Sequence, residues 1–271
     1  MKRTPAGEFV MTPTAERTLE KIRLVRDTGS VALFTGSAGV GKTTIVQRFL
    51  REDRDARYVV FSAASRNLSS VLKDIAKVLN LNLTVRSTYE LNKDIEHWLS
   101  WGSTDSGASL GFDSRKIYRG PYVVCDEVQN IDLNALRQLL HYNDMYGLPI
   151  IMIGNNHTIN RTHANEAALD QIEDRIRFRD RIDRTRGDIG AVCDAWGIED
   201  ATVRDWVIAY AIETTWRRLF SLLRAAAELS ADRQIGVSQL QDAIGFEGGI
   251  KAANEFLRKL TDRRRPLTIS N

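Results

Sequence analysis

The residues best suited to chemistry in this sequence form an octet that runs from Gly36 to Thr43. They match the phosphate-loop pattern G-x-x-x-x-G-K-[ST] at every fixed position. Glycines let the backbone approach a phosphate closely, and successive N–H groups then point into the loop. The lysine would reach the β- and γ-phosphates, and the threonine would hold Mg²⁺. The octet therefore predicts a site for ATP and Mg²⁺, formed by Gly36, Ser37, Ala38, Gly39, Val40, Gly41, Lys42 and Thr43, with Thr44 beside them.

The elements around the octet are those that must position it. The apolar run Val31–Phe34 leads into the loop, and a helical run over residues 44–50 follows it. The dipole of that helix places positive potential at its amino end, next to the loop. A glycine turn that precedes a helix by chance is the alternative, and it would match in about one of a hundred chains of this length.

Acidic and amide side chains follow two further apolar runs. Asp126 and Glu127 follow Tyr122–Cys125, and Asn155 follows Ile150–Ile153. Ligands of open α/β sheets bind at the carboxyl ends of the strands. We expect Asp126 to hold the water shell of Mg²⁺ and Glu127 to orient and deprotonate the attacking water. We expect Asn155 to donate to the γ-phosphate or to help position that water. An exposed acidic pair or helix cap, and a plain turn at the asparagine, are the alternatives.

Arginines supply the third group of candidates. The charged stretch 166–181 predicts a helix that ends with an arginine cluster and leads into a short strand near Ile182. An arginine of this cluster would stabilise transition-state charge at a neighbouring subunit's nucleotide, whereas ion pairs on a solvated face are the alternative. Arg217 and Arg218 open an apolar helix, from which one would reach over the nucleotide or stay at the surface. The cluster consists of Arg175, Arg177, Arg179 and Arg181.

Composition restricts the class of protein. The chain has 271 residues, of which 43% are hydrophobic and 27% charged, as in ordinary globular proteins. No apolar run approaches the roughly 20 residues of a membrane helix, and the first residues lack the apolar core of a signal peptide. We therefore expect a cytoplasmic protein without membrane contact. The net charge of +3 and the basic chain end permit nucleic-acid binding without proving it.

The order of apolar runs predicts two domains and a tail. Alternating strands and helices over residues 1–186 indicate an α/β domain with a parallel sheet flanked by helices. Residues 187–260 predict a small all-α lid, and residues 261–271 a basic tail. A long loop is predicted over 101–121, between a helix near 88–100 and the next strand. Lid helices are predicted near 189–196, 200–211, 213–229, 236–244 and 249–259.

Together these motifs resemble those of the AAA+ ATPases. Within that group the chain is most similar to target-DNA activators of the Mu transposition protein B type and their transposon relatives. The resemblance covers most of the chain from Phe9 onward. The segment Asp194–Ile198 is particular to the B-like proteins, whereas the phosphate loop is shared widely. By this resemblance Arg175 is the candidate arginine finger and Arg217 the candidate lid arginine.

The resemblance also implies a function. Members of the family assemble on duplex DNA as ATP-dependent filaments or rings and deliver that DNA to a transposase, which stimulates hydrolysis. We therefore expect a slow ATPase that is stimulated by DNA or transposase, self-associates, and contacts phosphates without reading sequence. Hydrolysis would drive disassembly. The candidate DNA contacts are Arg66 and three residues of the long loop, Arg115, Lys116 and Arg119, although each alone is also compatible with a scattered surface charge.

The chain departs from the pattern of the phage family member, which carries an N-terminal helix-turn-helix domain. Eight residues precede Phe9 here, so we expect the ATPase itself to bind DNA. Two rival functions remain open. A helicase loader would prefer single-stranded DNA and stack bases on aromatic residues such as Trp101, Phe112 and Tyr118. A DNA-coating scaffold would use ATP mainly as an assembly ligand. A small-molecule kinase fits less well, because of the Asp-Glu pair and the separate lid.

Overall fold

A computed structural model describes residues 9–83, 87–105, 120–156, 166–230 and 234–245, without side chains at 101–105 and 166–169. The contacts divide the chain into two compact units. The α/β unit comprises Arg17–Ser37 and Lys42–Asp183, and the helical unit comprises Met1–Glu16, Ala38–Gly41 and Arg184–Asn271. The sequence analysis divided the chain once, at residue 186, whereas these two units are built from interleaved segments. The division at residue 186 therefore stays a prediction.

The α/β unit contains a five-stranded sheet in the order β2-β3-β4-β1-β5, and every neighbouring pair is parallel. Strands β1, β3 and β4 are buried along nearly their whole length, as expected of parallel strands covered on both faces. The predicted parallel α/β sheet is therefore confirmed. The strands are β1 Val31–Thr35, β2 Ala56–Val60, β3 Tyr122–Asp126, β4 Ile150–Ile153 and β5 Phe178–Arg181.

Helices precede or connect these strands. Helix α3 presents Val71, Leu72 and Ile75 to the core of the α/β unit, and this spacing of three to four residues places them on one face. Asn67 caps α3 and Asp132 caps α5, each accepting a backbone N–H of the first turn. The helices are α1 Pro13–Asp27, α2 Lys42–Leu50, α3 Leu68–Val78, α4 Thr88–Asp105, α5 Leu133–Tyr146 and α6 Glu166–Arg175.

The structure corrects the prediction for residues 166–181. Helix α6 ends at Arg175, and β5 takes up Phe178–Arg181. The cause is an alternation with period two: Ile176 and Ile182 are buried, and Arg179 and Arg181 are exposed. Strand β5 pairs with β1, so its backbone bonds are satisfied in the sheet. The predicted cluster therefore does not share a helix end, and only Arg175 lies there.

The predicted start of the loop over 101–121 is also wrong. Helix α4 continues to Asp105, five residues beyond the predicted end of that helix at residue 100. Residues 106–119, which include Phe112, Arg115, Lys116, Tyr118 and Arg119, lie outside the described residues.

The helical unit contains α7 Arg186–Ala195, α8 Ala201–Glu213, α9 Trp216–Glu228 and a helical stretch at 237–245. Its core is apolar and fully buried at Val192, Val207 and Leu222, among others. Each of the three named helices begins after a capping side chain, which is Thr185, Asp200 or Thr215. The predicted all-α lid is confirmed, whereas its last predicted helix, 249–259, lies outside the described residues.

A buried carboxylate joins the start of α1 to α7 within the helical unit. Asp188 is 1% exposed and accepts hydrogen bonds from the amide and hydroxyl of Thr14, both at 2.8 Å. It also accepts from the amide and hydroxyl of Thr185, at 2.7 and 2.8 Å. Burial acts to raise the pKa of Asp188, but these hydrogen bonds outweigh burial and lower the pKa below its usual range.

No helix in the described part of the chain combines the length and apolar character needed to cross a bilayer.

Candidate nucleotide-binding site

Two glycines of the phosphate loop have positive φ angles and lie where a Cβ atom would have little room. Gly39 and Gly41 have φ of +77° and +95°, a region that side chains rarely tolerate. A Cβ at Gly39 would lie 2.8 Å from the Thr215 side chain, and one at Gly41 would lie 3.3 Å from Trp216 Cδ1. The Trp216 amide donates to the Gly39 carbonyl at 3.2 Å. The backbone therefore curls as a phosphate cradle requires, at positions where only glycine fits.

Lys42 is the first residue of α2, and it folds over the start of the loop. Its Nζ donates to the carbonyls of Gly36 at 2.8 Å and Ser37 at 2.9 Å. Burial lowers the pKa of Lys42 from its ordinary value, while the charges of Glu127 and Asp126 act in the opposite direction. A bound phosphate would offer this ammonium group a charged acceptor in place of two neutral carbonyls. Thr44, the third residue of α2, is exposed.

The threonine of the loop and the acidic end of β3 meet directly. Thr43 Oγ1 donates to Asp126 Oδ2 at 2.8 Å, and Asp126 is 2% exposed. The carboxyl ends of β1 and β3 lie at one edge of the sheet, on either side of β4, which brings these two residues together. Hydroxyl and carboxylate oxygens are the ligands that Mg²⁺ prefers. The pair therefore fits the metal that the phosphate loop implies.

Tyr58 on β2 was missed by the sequence analysis. Its hydroxyl donates to the same Asp126 Oδ2 at 2.9 Å. Burial, and next the negative charge of Asp126, raise the pKa of Tyr58. Tyr58 lies opposite Val124 in the parallel pair β2–β3. The register of β2 against β3 would have been needed to predict the contact between Tyr58 and Asp126, and the sequence alone does not give that register.

Glu127 and Asn155 are joined by a second residue that was missed, Gln129. Glu127 has a left-handed backbone, φ +59° and ψ +38°, and precedes a short 3-10 helix, Val128–Asn130. Gln129 Nε2 donates to Glu127 Oε2, and its Oε1 accepts the Asn155 amide at 3.2 Å. The structure thus brings Asp126, Glu127 and Asn155 to the same edge of the sheet.

Arg175 lies apart from this group. It closes α6, and its Nε lies 3.2 Å from Asp144 Oδ2, with the two side chains 40% and 38% exposed. The amide of Arg177 donates to the Val31 carbonyl at 3.1 Å, so α6 ends at the amino end of β1. The phosphate loop follows the opposite end of β1, about 13 Å away for a strand of this length.

The remaining candidates lie on the surface or beyond the described residues. Arg217 is the second residue of α9 and is exposed. Arg66 is exposed in the loop before α3, and its carbonyl accepts the Asp132 amide at 2.8 Å. The other predicted DNA contacts, Arg115, Lys116 and Arg119, cannot be placed, because they lie outside the described residues.

Curated relatives show what the chain resembles. It is 24% identical over 200 residues to the Mu-like prophage FluMu DNA transposition protein B of Haemophilus influenzae, covering 72% of this chain and 63% of that protein. It is 23% identical over 193 residues to the ATP-dependent target DNA activator B of Escherichia phage Mu, covering 70% and 56%. The chain thus spans 56 to 63% of the length of these relatives.

Solved structures share the fold. Cdc6p from Pyrobaculum aerophilum aligns with a TM-score of 0.60 at 16% identity, covering 90% of this chain and 69% of that one. The Aeropyrum pernix ORC2 protein, in its ADPNP-ADP complexes, aligns with a TM-score of 0.58 at 15% identity, covering 89% and 70%. The family profile described as "AAA domain" matches residues 25–161, half of the chain, including the phosphate loop, Asp126, Glu127 and Asn155. This chain therefore belongs to the AAA domain family.

Proposed function

We propose that this chain is an ATPase that assembles on duplex DNA when it binds ATP and Mg²⁺ and presents that DNA to a transposase. Hydrolysis, slow until DNA or transposase stimulates it, ends the assembly. The observation that carries the proposal is the 2.8 Å contact between Thr43 and Asp126, which unites the phosphate loop with the acidic end of β3. Similarity to the target DNA activators supports the DNA and transposase parts.

Nucleotide binding would engage the loop from Gly36 to Thr43. The amides of the loop and the Lys42 ammonium group hold the phosphate oxygens, and the amino end of α2 adds favourable potential. Mg²⁺, when bound, would neutralise phosphate charge and be held by Thr43 and, through water, by Asp126. We keep Arg217 as the proposed lid arginine. We also keep the proposed division of the chain into an α/β domain over 1–186, a lid over 187–260 and a basic tail over 261–271.

Hydrolysis would use Glu127 as the general base. Its carboxylate takes a proton from water while the water oxygen bonds to the γ-phosphorus. The bond from the γ-phosphorus to its bridging oxygen then breaks, which yields ADP and phosphate. Asn155 lies at the end of the neighbouring strand and would hold the γ-phosphate or the water.

The position of Arg175 supports the proposal of self-assembly. Because α6 ends at the amino end of β1, Arg175 lies at the edge of the sheet opposite its own phosphate loop. It therefore serves a nucleotide only if that nucleotide belongs to a second copy of the chain. Breaking its ion pair with Asp144 would free the guanidinium group for that contact.

DNA contact is assigned to Arg66 and to Arg115, Lys116 and Arg119. Contacts of this kind bind phosphates of any sequence and weaken as salt rises. We place this proposed function in the cytoplasm, and in the host cytoplasm if the gene belongs to a phage.

The test compares Lys42→Ala with Lys73→Ala, an exposed lysine of α3 that serves as a matched control. Binding to labelled duplex and single-stranded DNA is measured with ATP, with ADP and without nucleotide. We expect ATP-dependent duplex binding in wild type and control, and none in Lys42→Ala, because the phosphate contact is lost. Duplex affinity that is the same with and without ATP in the wild type would refute the proposal. A preference for single-stranded DNA would indicate a helicase loader. The absence of ATP turnover by the wild type would indicate a DNA-coating scaffold.

A further inference from the structure

We propose that Gln129 is a positioning residue that holds the Glu127 carboxylate in place for hydrolysis and joins it to the strand end at Asn155. This inference rests on the proposed hydrolysis at Glu127. It assigns a role to a residue that neither the phosphate loop nor the Asp-Glu pair includes.

The two bonds of the Gln129 amide fix its orientation. Its oxygen accepts the backbone N–H of Asn155 at 3.2 Å, so its NH₂ group must face the other way, toward Glu127. The NH₂ group donates to Glu127 Oε2. A single planar amide thus spans the ends of β3 and β4. Because Oε2 is engaged, Oε1 is the oxygen that we assign to the attacking water.

The backbone of Glu127 needs this support. A left-handed conformation in a residue other than glycine costs roughly 1 kcal/mol and persists only where neighbouring contacts impose it. Among the described residues only Asn80 shares this feature with Glu127. A glutamate side chain also has several rotamers. The bond to Gln129 selects one of them.

The 3-10 helix that carries Gln129 is itself held firmly. Val128 is 3% exposed and belongs to the core of the α/β unit. Asn130 Nδ2 donates to the Phe61 carbonyl at 2.8 Å, and the Asp132 amide donates to the Arg66 carbonyl at 2.8 Å. The segment after Glu127 is therefore fixed on one side by the core and on the other by the loop after β2. A rigid support is what a positioning residue requires.

The test is steady-state ATP hydrolysis by Gln129→Ala, measured without DNA or transposase. We expect kcat to fall about tenfold to a hundredfold, because a misplaced base loses that much. KM and the affinity for a fluorescent ATP analogue should stay unchanged. Gln129→Glu, which keeps the shape but cannot donate to Glu127, should show the same loss. Gln171→Ala, an exposed glutamine of α6, is the matched control and should behave as wild type.

A double variant separates positioning from a structural role. If Gln129 acts only through Glu127, adding Gln129→Ala to Glu127→Gln lowers kcat no further. An additional loss in that background, a matching loss of nucleotide affinity, or kcat within twofold of wild type in Gln129→Ala would each overturn the inference. Wild-type turnover without duplex binding would refute the DNA part of the proposed function and leave this test intact. A wild type with no turnover even when duplex DNA is added would overturn both.

Discussion

Replacement of Asp188 by asparagine should destabilise the helical unit strongly. Three of the hydrogen bonds to Asp188 converge on Oδ2, and one, from the Thr14 amide, reaches Oδ1. If the asparagine oxygen takes the Oδ2 place, its NH₂ group faces the Thr14 N–H, and two buried donors oppose each other. That costs about 1–3 kcal/mol.

The loss of charge adds to this cost. The three bonds that remain change from charge-assisted to neutral, which weakens them by about 1–2 kcal/mol in total. A neutral group is less costly to bury, and this offsets part of the loss. We therefore expect the free energy of unfolding to fall by about 3 kcal/mol. Asp200→Asn is the matched control, because Asp200 caps α8 with one bond and asparagine caps helices equally well.

The assay is urea unfolding followed by ellipticity and tryptophan fluorescence, at several pH values. The pKa of Asp188 is lowered in the folded protein, so its contribution is complete above the unfolded value of about 3.9. It is lost as pH falls through the lower folded value. The difference between wild type and Asp188→Asn should thus be constant near neutrality and shrink in acid. A loss below 1 kcal/mol, or a difference that does not change with pH, would refute the reasoning.

Three further predictions concern the nucleotide site. Tyr58→Phe removes one donor to Asp126, and we expect roughly a tenfold higher Mg²⁺ requirement for hydrolysis; an unchanged Mg²⁺ titration would contradict this. Glu127→Gln should bind ATP yet stay assembled on DNA, because the base is lost, and electron microscopy that finds normal disassembly would exclude Glu127 as the base. Gly39→Ala strains a φ of +77° and meets Thr215 at 2.8 Å, so nucleotide affinity should fall at least tenfold in a fluorescence titration. Wild-type affinity in that variant would show that the loop tolerates a side chain.

The candidate residues whose location could be predicted from the sequence are those whose position depends on strand ends alone. Asp126 and Asn155 each follow a short apolar run, and parallel strands carry such ends to one edge of the sheet. No knowledge of register or side-chain direction was needed for that. Their individual roles in catalysis remain predictions.

Two residues were missed because their place depends on geometry that the sequence does not state. Tyr58 reaches Asp126 only through the register of β2 against β3. Gln129 contacts Asn155 from a 3-10 helix that follows the left-handed backbone of Glu127, and the sequence states neither feature. The helix predicted over 166–181 is present only over Glu166–Arg175. The rest of the prediction was wrong because the many charges of this stretch masked the alternating pattern of a short edge strand.

The hydrogen bonds between the 3-10 helix and the loop after β2 have a consequence for regulation. Arg66 and Gln129 belong to segments that are joined at Phe61–Asn130 and Arg66–Asp132. If a DNA phosphate draws Arg66 toward it, the support of the hydrolytic base shifts as well. The shift would change kcat, because Gln129 positions the base and does not bind the nucleotide. Reciprocal coupling applies to binding free energies and not to kcat, so DNA would stimulate hydrolysis by this route without a matching change in the affinity for ATP.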